Sequence, residues 1–500
     1  MRTRNGYPVV LTADRTLTAN YRVLFDGMLV ANQTTTTPRP IVRTLMMPRP
    51  HADGARAHVA PLGLRRIEAA LLRNGFGPDE VAVVDHDHLR DAVGPATRIV
   101  AVSTGDPLGL GMSTTTVQAI AGGRGYPEVM FRDLVRTIRR LIANRVAQAV
   151  VVAGGPGAWQ FGKKTDVVDH VVTGYAEGNV AAVFRSVMRG DTVPPVIQGE
   201  PVPPERVPRI AGATTMGVVE VSRGCGLGCR FCTMAHTPMR HLPEDAVAAD
   251  AQTNVAAGVD NICAVSEDLF RYGADGRDAA PDALISLLTR LREIRGLRLI
   301  QTDHGNIATI SQYGDRELAQ VRSLLVGGTG QKYPWLNVGV ETASGELLAA
   351  AGCGTKLGPG GEDGWAGLCT KQLKRLVRAG FFPMASIVVG LPGETAEDTR
   401  HTLAWVESVS GECLAVFPML YAPIDGTTPE PLNELQWHLI RSCYAINFRR
   451  VPAMYGDNQR AGGGGLARRC LMRALGGGQV ALWKMLLARR SRRAARAGNG

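Results

Sequence analysis

The chain has 500 residues, too many for one ordinary hydrophobic core, so two or three domains are expected. Hydrophobic residues make up 45% and charged residues 20%, the balance of a globular protein in water. No apolar run reaches the length of a spanning helix, and the opening "MRTRNGYPVVLTADRTL" lacks the apolar stretch and cleavage site of a secretory signal; a reducing, cytoplasmic setting is expected. Much of the net charge of +11 sits in the closing "LLARRSRRAARAGNG", with Arg489, Arg490, Arg492, Arg493 and Arg496. Such a tail is either a solvated terminus or a peripheral contact for an anionic membrane; no nucleic-acid partner is expected.

In chain order, residues 1–40 read as a lead-in segment that closes on the linker-like "QTTTTPRP". Over 41–200 strands and helices alternate. "IVRTLMMP" reads as a buried strand, "GLRRIEAALLRNG" as a helix with a glycine stop, "EVAVVD" and "RIVAVST" as strands, and "RDLVRTIRRLIANR" as an amphipathic helix. "AVVVAGGPGA" and "VDHVVTGYAEG" add strands, and "NVAAVFRSVMRG" a helix. This order predicts a doubly wound, Rossmann-like parallel sheet. The proline-rich "PPVIQGEPVPPERVPRIAG" reads as a linker. Over 201–427, six further strands, from "GVVEVSR" to "CLAVFPMLYAP", separated by helical stretches, predict a complete or partial β/α barrel, with its chemistry at the C-terminal strand ends. Residues 428–500 read as mostly helical, broken by "AGGGG" and "GGG".

Just after the first barrel strand stands "RGCGLGCRFC", which places Cys225, Cys229 and Cys232 in a Cys-x3-Cys-x2-Cys spacing. Three readings compete. Inert buried thiols leave the tight glycine-lined spacing unexplained. A structural zinc site needs a fourth ligand, for which His236 or His241 is near in sequence. An iron–sulfur cluster held by three thiolates keeps one iron open for a small molecule. The other six cysteines are scattered singly: Cys263 and Cys413 read as core residues and Cys353 as a loop thiol.

The loop "CGLGCRFC" resembles that of the radical S-adenosylmethionine (SAM) enzymes. The resemblance implies a [4Fe-4S] cluster on Cys225, Cys229 and Cys232, whose open iron is chelated by SAM. Reduction then cleaves SAM to methionine and a 5′-deoxyadenosyl radical, with a flavodoxin- or ferredoxin-type protein as electron donor. On the same resemblance Phe231 lies near the adenine. Glu267, with Asp268 as the alternative, stands for the group that holds the methionine amine, although the family's flanking glycines are missing. Glu341 stands at a ribose-binding position, and Gly390 opens the "GLPGE" turn on the adenine side; Glu394 in that turn is equally a helix-start residue.

The first β/α series ends its strands in "STGDPLG", "GGPGAW" and "GYAEG", without a dinucleotide-type Gly-x-Gly-x-x-Gly. Ahead of such a barrel it resembles the cobalamin (B12)-binding domain of B12-dependent radical-SAM enzymes. That implies cobalamin, with Ser103 and Thr104 towards the lower corrin face and Gly154 and Gly155 flanking the nucleotide tail. The Asp-x-His-x-x-Gly cobalt-ligand motif is absent, and His86 and His88 do not have its spacing. The function implied is methylation of an unactivated carbon or of phosphorus. A radical cyclisation or rearrangement, and a non-catalytic iron–sulfur sensor or carrier, are the alternatives. A methylthiotransferase is disfavoured because the first domain has no second cysteine trio. The substrate, whether small molecule, peptide or lipid, is not legible.

Overall fold

The computed structural model describes residues 5–144, 147–162, 167–427 and 430–497, with side chains inside the last helix to 492, so that Arg493 and Arg496 of the basic tail lie outside the described side chains. Contacts divide the chain into two units. Unit 1 comprises Met1–Gln118, Gly122–Val219 and Asp245–Asp260; unit 2 comprises Ala119–Ala121, Glu220–Glu244 and Asn261–Gly500.

Unit 1 is built on six strands: β1 (Val9–Ala13), β2 (Val81–Val83), β3 (Ile99–Ser103), β4 (Val150–Gly154), β5 (His170–Thr173) and β6 (Val196–Gln198). They lie in the order β2-β1-β3-β4-β5-β6, with parallel pairing throughout. Alternate side chains point to opposite faces, as the two-residue strand period requires. Val10, Val100, Val102 and Val151 pack with Phe131, Leu134 and Ile138 of helix Tyr126–Asn144. Val9, Leu11, Ile99 and Val152 pack with Leu64 and Leu71 of helix Leu62–Arg73 and Phe184 of helix Val180–Arg189. The sheet is therefore doubly wound, and its order reverses between β1 and β3, where such sheets open a crevice at their carboxyl ends.

Three sequence expectations are corrected in this unit. Residues 1–40 are not a lead-in, because Val9–Ala13 is the strand between β2 and β3, all five residues buried. A short run buried on both faces shows no alternation and cannot be told from any other apolar run. "IVRTLMMP" is not a strand but a helical turn, Arg39–Ile41, continued by the π-turn Val42–Met46. Pro40 near its start favours a helix, and Ile41 and Leu45 are exposed at 43% and 63%. The proline-rich linker contributes strand β6, which pairs Val196 with Val171 at the sheet edge. There the prolines before it interrupt no ladder.

Unit 2 carries the second β/α series. Its strands are β7 (Val218–Glu220, at the division between the units), β8 (Asn261–Val265), β9 (Leu299–Thr302), β10 (Trp335–Glu341), β11 (Phe382–Val389) and β12 (Ala415–Leu420). One sheet runs β9-β8-β7; a second runs from His304–Gly305 through β10 and β11 to β12. Only Asp303 separates β9 from His304–Gly305, so one stretch of chain links the two sheets into six successive strand positions, an open β/α barrel. Helices Pro281–Arg292, Asp315–Val326, Gly361–Arg378 and Ala396–Ser408 alternate with them.

The last strand's edge is closed by a side chain. Asn447, 1% exposed on helix Glu434–Ala461, accepts from Val416 N at 2.8 Å and donates to Val416 O at 2.7 Å, standing in for a neighbouring strand. Of the two expected glycine breaks only "AGGGG" separates helices; Gly476–Gly478 lie inside helix Leu466–Ala497. Gly476 is used for close approach, since a methyl there would meet Pro452 Cα and Tyr455 Cγ at 3.1 Å. No helix among the described residues is long and apolar enough to cross a membrane.

Candidate functional site

The cysteine loop leaves the end of the first barrel strand and is closed by the antiparallel pairs Ser222–His241 and Arg223–Arg240. Gly224 begins the turn at φ +73°, and any side chain there would strike the Thr237 and Pro238 carbonyls at 2.5 Å, so only glycine fits. Cys225 N donates to Thr237 O at 2.9 Å, Gly228 N to Ala235 O at 3.0 Å and Cys232 N to Cys229 O at 3.1 Å, which folds the three cysteines into one compact turn. Arg271 Nη1 donates to Cys225 O at 2.7 Å and Arg230 N to Ala351 O at 3.0 Å, holding the turn to its neighbours.

All three thiols are free, Cys229 buried and the others half-buried. Burial pushes Cys225 up to about 11 and raises Cys232. Cys229 is pulled down, first by a hydrogen bond from the Cys353 thiol and then by the Lys356 ammonium. Among the described residues no three His, Cys, Asp or Glu side chains converge on a single metal ion. Of the two histidines near in sequence, His236 is exposed and His241 packs edge-on against Tyr272 at 5.5 Å. Separate free thiols on a glycine turn are the donor set for a multi-iron core, which takes each thiolate on its own iron.

The sequence candidates around this loop divide. Glu267 lies at the end of β8 close enough to act on both Cys225 and Cys232, and burial raises its carboxyl. Asp268 is turned inwards, wholly buried; it accepts from Asn306 N at 3.2 Å and Thr309 Oγ1 at 2.6 Å and is a structural residue. Burial pushes it up to about 6, against those hydrogen bonds. Phe231 is half-buried beside Cys232. Gly390, at φ +84°, donates its N–H to Glu394 at 2.9 Å. Glu394 also accepts from Thr399 and Gln436 at 2.9 Å each, so it fastens the turn to two helices and is committed to structure.

Glu341 ends β10 with φ +64° at a register irregularity, a conformation that costs a non-glycine residue about 1–3 kcal/mol. The bulge delivers its carboxylate to Lys356, Nζ to Oε1 2.5 Å, with both side chains 9% exposed. Burial alone would lower the lysine, but Glu341 and the Cys229 thiol hold it above its usual value. Gly339, two residues earlier on the same face, leaves the room: a methyl there would overlap the Glu341 carboxylate and lie 2.8 Å from Lys356 Nζ.

Lys356 and His304 were missed by the sequence reading, and Cys353, read there as a loop thiol, is buried at the end of the π-turn Ala349–Cys353. His304 follows β9 and pairs with Asp303 at 2.9 Å. Burial works against the imidazolium, yet Asp303, with Glu267 and Glu341 further off, raises it to about 9. Glu267 and His304 both have exposed side chains, and both are nonetheless raised, Glu267 by burial of its carboxyl and His304 by Asp303. No motif announces these residues. For His304 the one available signal is position, since charged residues directly after barrel strands sit where barrels do chemistry; Lys356 and Cys353 lie beyond the next helix and carry no such signal.

In unit 1, Ser103, Thr104, Gly154 and Gly155 come together, because β3 and β4 pair Ser103 with Gly154. Thr104 donates to Gly154 O through both its N–H, at 2.9 Å, and its hydroxyl, at 2.8 Å. Gly155, at φ +91°, is required by packing: a methyl there would lie 2.9 Å from Ser103 Oγ and 3.0 Å from Thr104 O. His88 Nδ1 donates to Asp85 at 2.7 Å beyond β2, which β1 separates from β3 in the sheet.

No family model matches the chain. The chain is 26% identical over 252 residues to the ribosomal protein uS12 methylthiotransferase RimO of Syntrophobacter fumaroxidans, covering 48% of this chain and 51% of that protein. It is 25% identical over 269 residues to RimO of Moorella thermoacetica, covering 52% and 58%. The chain thus spans about half the length of the curated relatives it matches. Among solved structures it is similar to the radical S-adenosylmethionine methyltransferase TsrM from Kitasatospora setae. The form with cobalamin and a [4Fe-4S] cluster bound aligns at TM-score 0.52 and 16% identity over 84% of this chain and 74% of that one. The form with tryptophan substrate and a SAM analogue aligns at TM-score 0.54 and 16% identity, over 83% and 75%. The doubly wound parallel sheet followed by an open β/α barrel is a fold that the chain shares with these radical S-adenosylmethionine methyltransferase structures.

Proposed function

We propose that the protein is a cobalamin-dependent radical SAM enzyme that transfers a methyl group to an unactivated centre, carbon or phosphorus, of a small molecule. The observation that carries the reading is the set of three free thiols on a glycine turn at the first barrel strand, with Glu267 and the Glu341–Lys356 pair around them. Cys225, Cys229 and Cys232 would hold a [4Fe-4S] cluster. Phe231, Glu267, Glu341 and Gly390 would contact SAM. Ser103, Thr104, Gly154 and Gly155 would line the cobalamin site, which the sheet reversal beside β3 supports. When bound, the cluster with SAM supplies a radical at a C–H bond, and cobalamin supplies a methyl carrier.

The chain's own part is positioning and charge. Glu267 offers an acceptor for an ammonium near Cys225 and Cys232. Lys356 neutralises buried negative charge beside Cys229, and the paired Glu341 is kept from swinging by its bulged backbone. A methylthiotransferase is not proposed, because residues 1–224 contain no cysteine for a second cluster. The small-molecule class is supported by tryptophan as the substrate of TsrM. An external flavodoxin- or ferredoxin-type donor would supply the electron.

Anaerobic turnover of reconstituted protein with SAM, cobalamin, a reductant and candidate substrates tests this. The expected result is S-adenosylhomocysteine and 5′-deoxyadenosine in comparable amounts, with a product heavier by one methyl. 5′-Deoxyadenosine without S-adenosylhomocysteine replaces methyl transfer by cyclisation or rearrangement. Formation of neither, with cluster and SAM bound, overturns the enzyme.

A further inference from the structure

Two adjoining cavities among the described residues of unit 1, of ≈ 370 and ≈ 650 Å³, share Arg15, Arg43 and Asp87 in their walls. They open where β1 and β2 end, the edge at which doubly wound sheets take ligands. Six arginines line the smaller one against two carboxylates, Asp87 and Asp133. Both carboxylates are already shared. Asp133 is gripped by Arg39 and Arg136, and Asp87 by Arg15 at 3.0 Å and Arg43 at 3.6 Å. Positive charge therefore remains in excess inside a recess.

The walls are built, not incidental. Asp14 caps the turn that carries Arg15 by accepting from Thr16 N at 2.8 Å. Asp85, wholly buried, does the same beyond β2 for Asp87 N at 2.8 Å, so the 86–88 turn is rigid. Arg15 is only 5% exposed, and its Nε has no hydrogen-bond partner among the described residues; neither does the buried Nδ1 of His86. Leaving such groups unpaired is costly, so a bound acceptor there is favoured. A guanidinium edge with an open donor, beside a second arginine and an imidazole, matches the acceptor oxygens of a phosphate.

We propose that this arginine cavity is a ligand site of unit 1 that takes the phosphate group of a small molecule, with Arg15 and Arg43 as the gripping residues and His86 as a hydrogen-bonding partner. The proposal goes beyond the methyl-transfer reading and stands on the cavity alone. The phosphate belongs either to a phosphorylated substrate or to the phosphodiester of a cobalamin tail.

Isothermal titration of the full chain with pyrophosphate at low salt tests it. Saturable 1:1 binding is expected, weakened about tenfold or more by Arg43→Gln, which is half-exposed and leaves the core untouched. Arg15→Met should weaken it further, with folding checked by circular dichroism. Arg316→Gln, on unit 2, should change nothing. Absence of saturable binding overturns the proposal, as does equal affinity in wild type and Arg43→Gln, or an equal loss in Arg316→Gln. Repeating the titration with saturating hydroxocobalamin separates the sources: retained binding assigns the site to a free phosphorylated ligand, and competition assigns it to the cobalamin tail.

Discussion

The two units use their strand ends in opposite ways. At the junction of β3 and β4 in unit 1, glycine serves contact between loops. Gly155 lets Thr104 and Ser103 close upon it, and Thr104 gives both of its donors to Gly154 O. In unit 2, glycine serves charge. Gly339 clears the space in which Glu341 meets Lys356 beside the Cys229 thiol, and the backbone accepts a positive φ to aim the carboxylate. The same residue type thus serves close packing of loops just past a strand in one unit and a buried ion pair within a strand in the other. Strain and buried charge, not glycine as such, distinguish them.

The largest effect that would sharpen this contrast is on iron. Replacing Cys225, Cys229 and Cys232 by alanine should abolish iron and sulfide uptake, about four of each in the reconstituted protein, without altering the circular dichroism of unit 1. Stoichiometric zinc in freshly purified protein, indifferent to reconstitution, would break it.

Next comes the ion pair. Lys356→Met leaves Glu341 buried and alone and should lower stability to denaturant by about 3–5 kcal/mol. The double variant Lys356→Met/Glu341→Gln should recover most of that. A single variant as stable as wild type would mean that the pair is hydrated and that its charges are ordinary surface groups.

Gly155→Ala should cost less, about 1–3 kcal/mol, from the left-handed backbone and the contact with Ser103 and Thr104. Loss of cobalamin binding with unchanged stability would show that Gly155 faces ligand rather than loop, and the contrast between the units would fail at that point.

The smallest effect is a pH dependence. His304 is raised to about 9 in the folded chain by Asp303, against an ordinary value of 6.5. Its contribution is therefore complete below about pH 6.5 and is lost as pH rises through about 9. Denaturation profiles of wild type and His304→Gln should converge above that pH. Parallel profiles throughout would show that Asp303 does not raise His304.

Most of unit 2 was legible from sequence. The barrel strands carry short apolar stretches, as in Asn261–Val265 and Phe382–Val389, flanked by turn residues, and the helices between them carry their own periodicity, so local chemistry sufficed. The cysteine loop was legible for a related reason: its ligands lie within eight consecutive residues and its geometry is set by the glycines between them. Order within unit 1 was less so. Val9–Ala13 is defined by partners at Val81–Val83 and Ile99–Ser103, far along the chain, and its own residues carry no sign of that pairing. Val42–Met46 is the reverse case, a β-branched run that folds as a turn because prolines precede it and only Val42 faces inward.

What the sequence by itself determined is therefore whatever depends on neighbours in the chain: the strand–helix alternation, the three-thiol spacing, the turn at Gly390. Tertiary structure alone decided which charges meet. Glu341 and Lys356 are fifteen residues apart, and Asp268 finds Thr309 across forty-one. Arg15 reaches Asp87 across seventy-two, and Cys353 reaches Cys229 from the π-turn Ala349–Cys353. A carboxylate kept for ligand and one spent on structure look alike in a sequence, since both are one acidic residue after a strand. They part only when burial sets the cost of an unpaired charge and the fold supplies, or withholds, the partner.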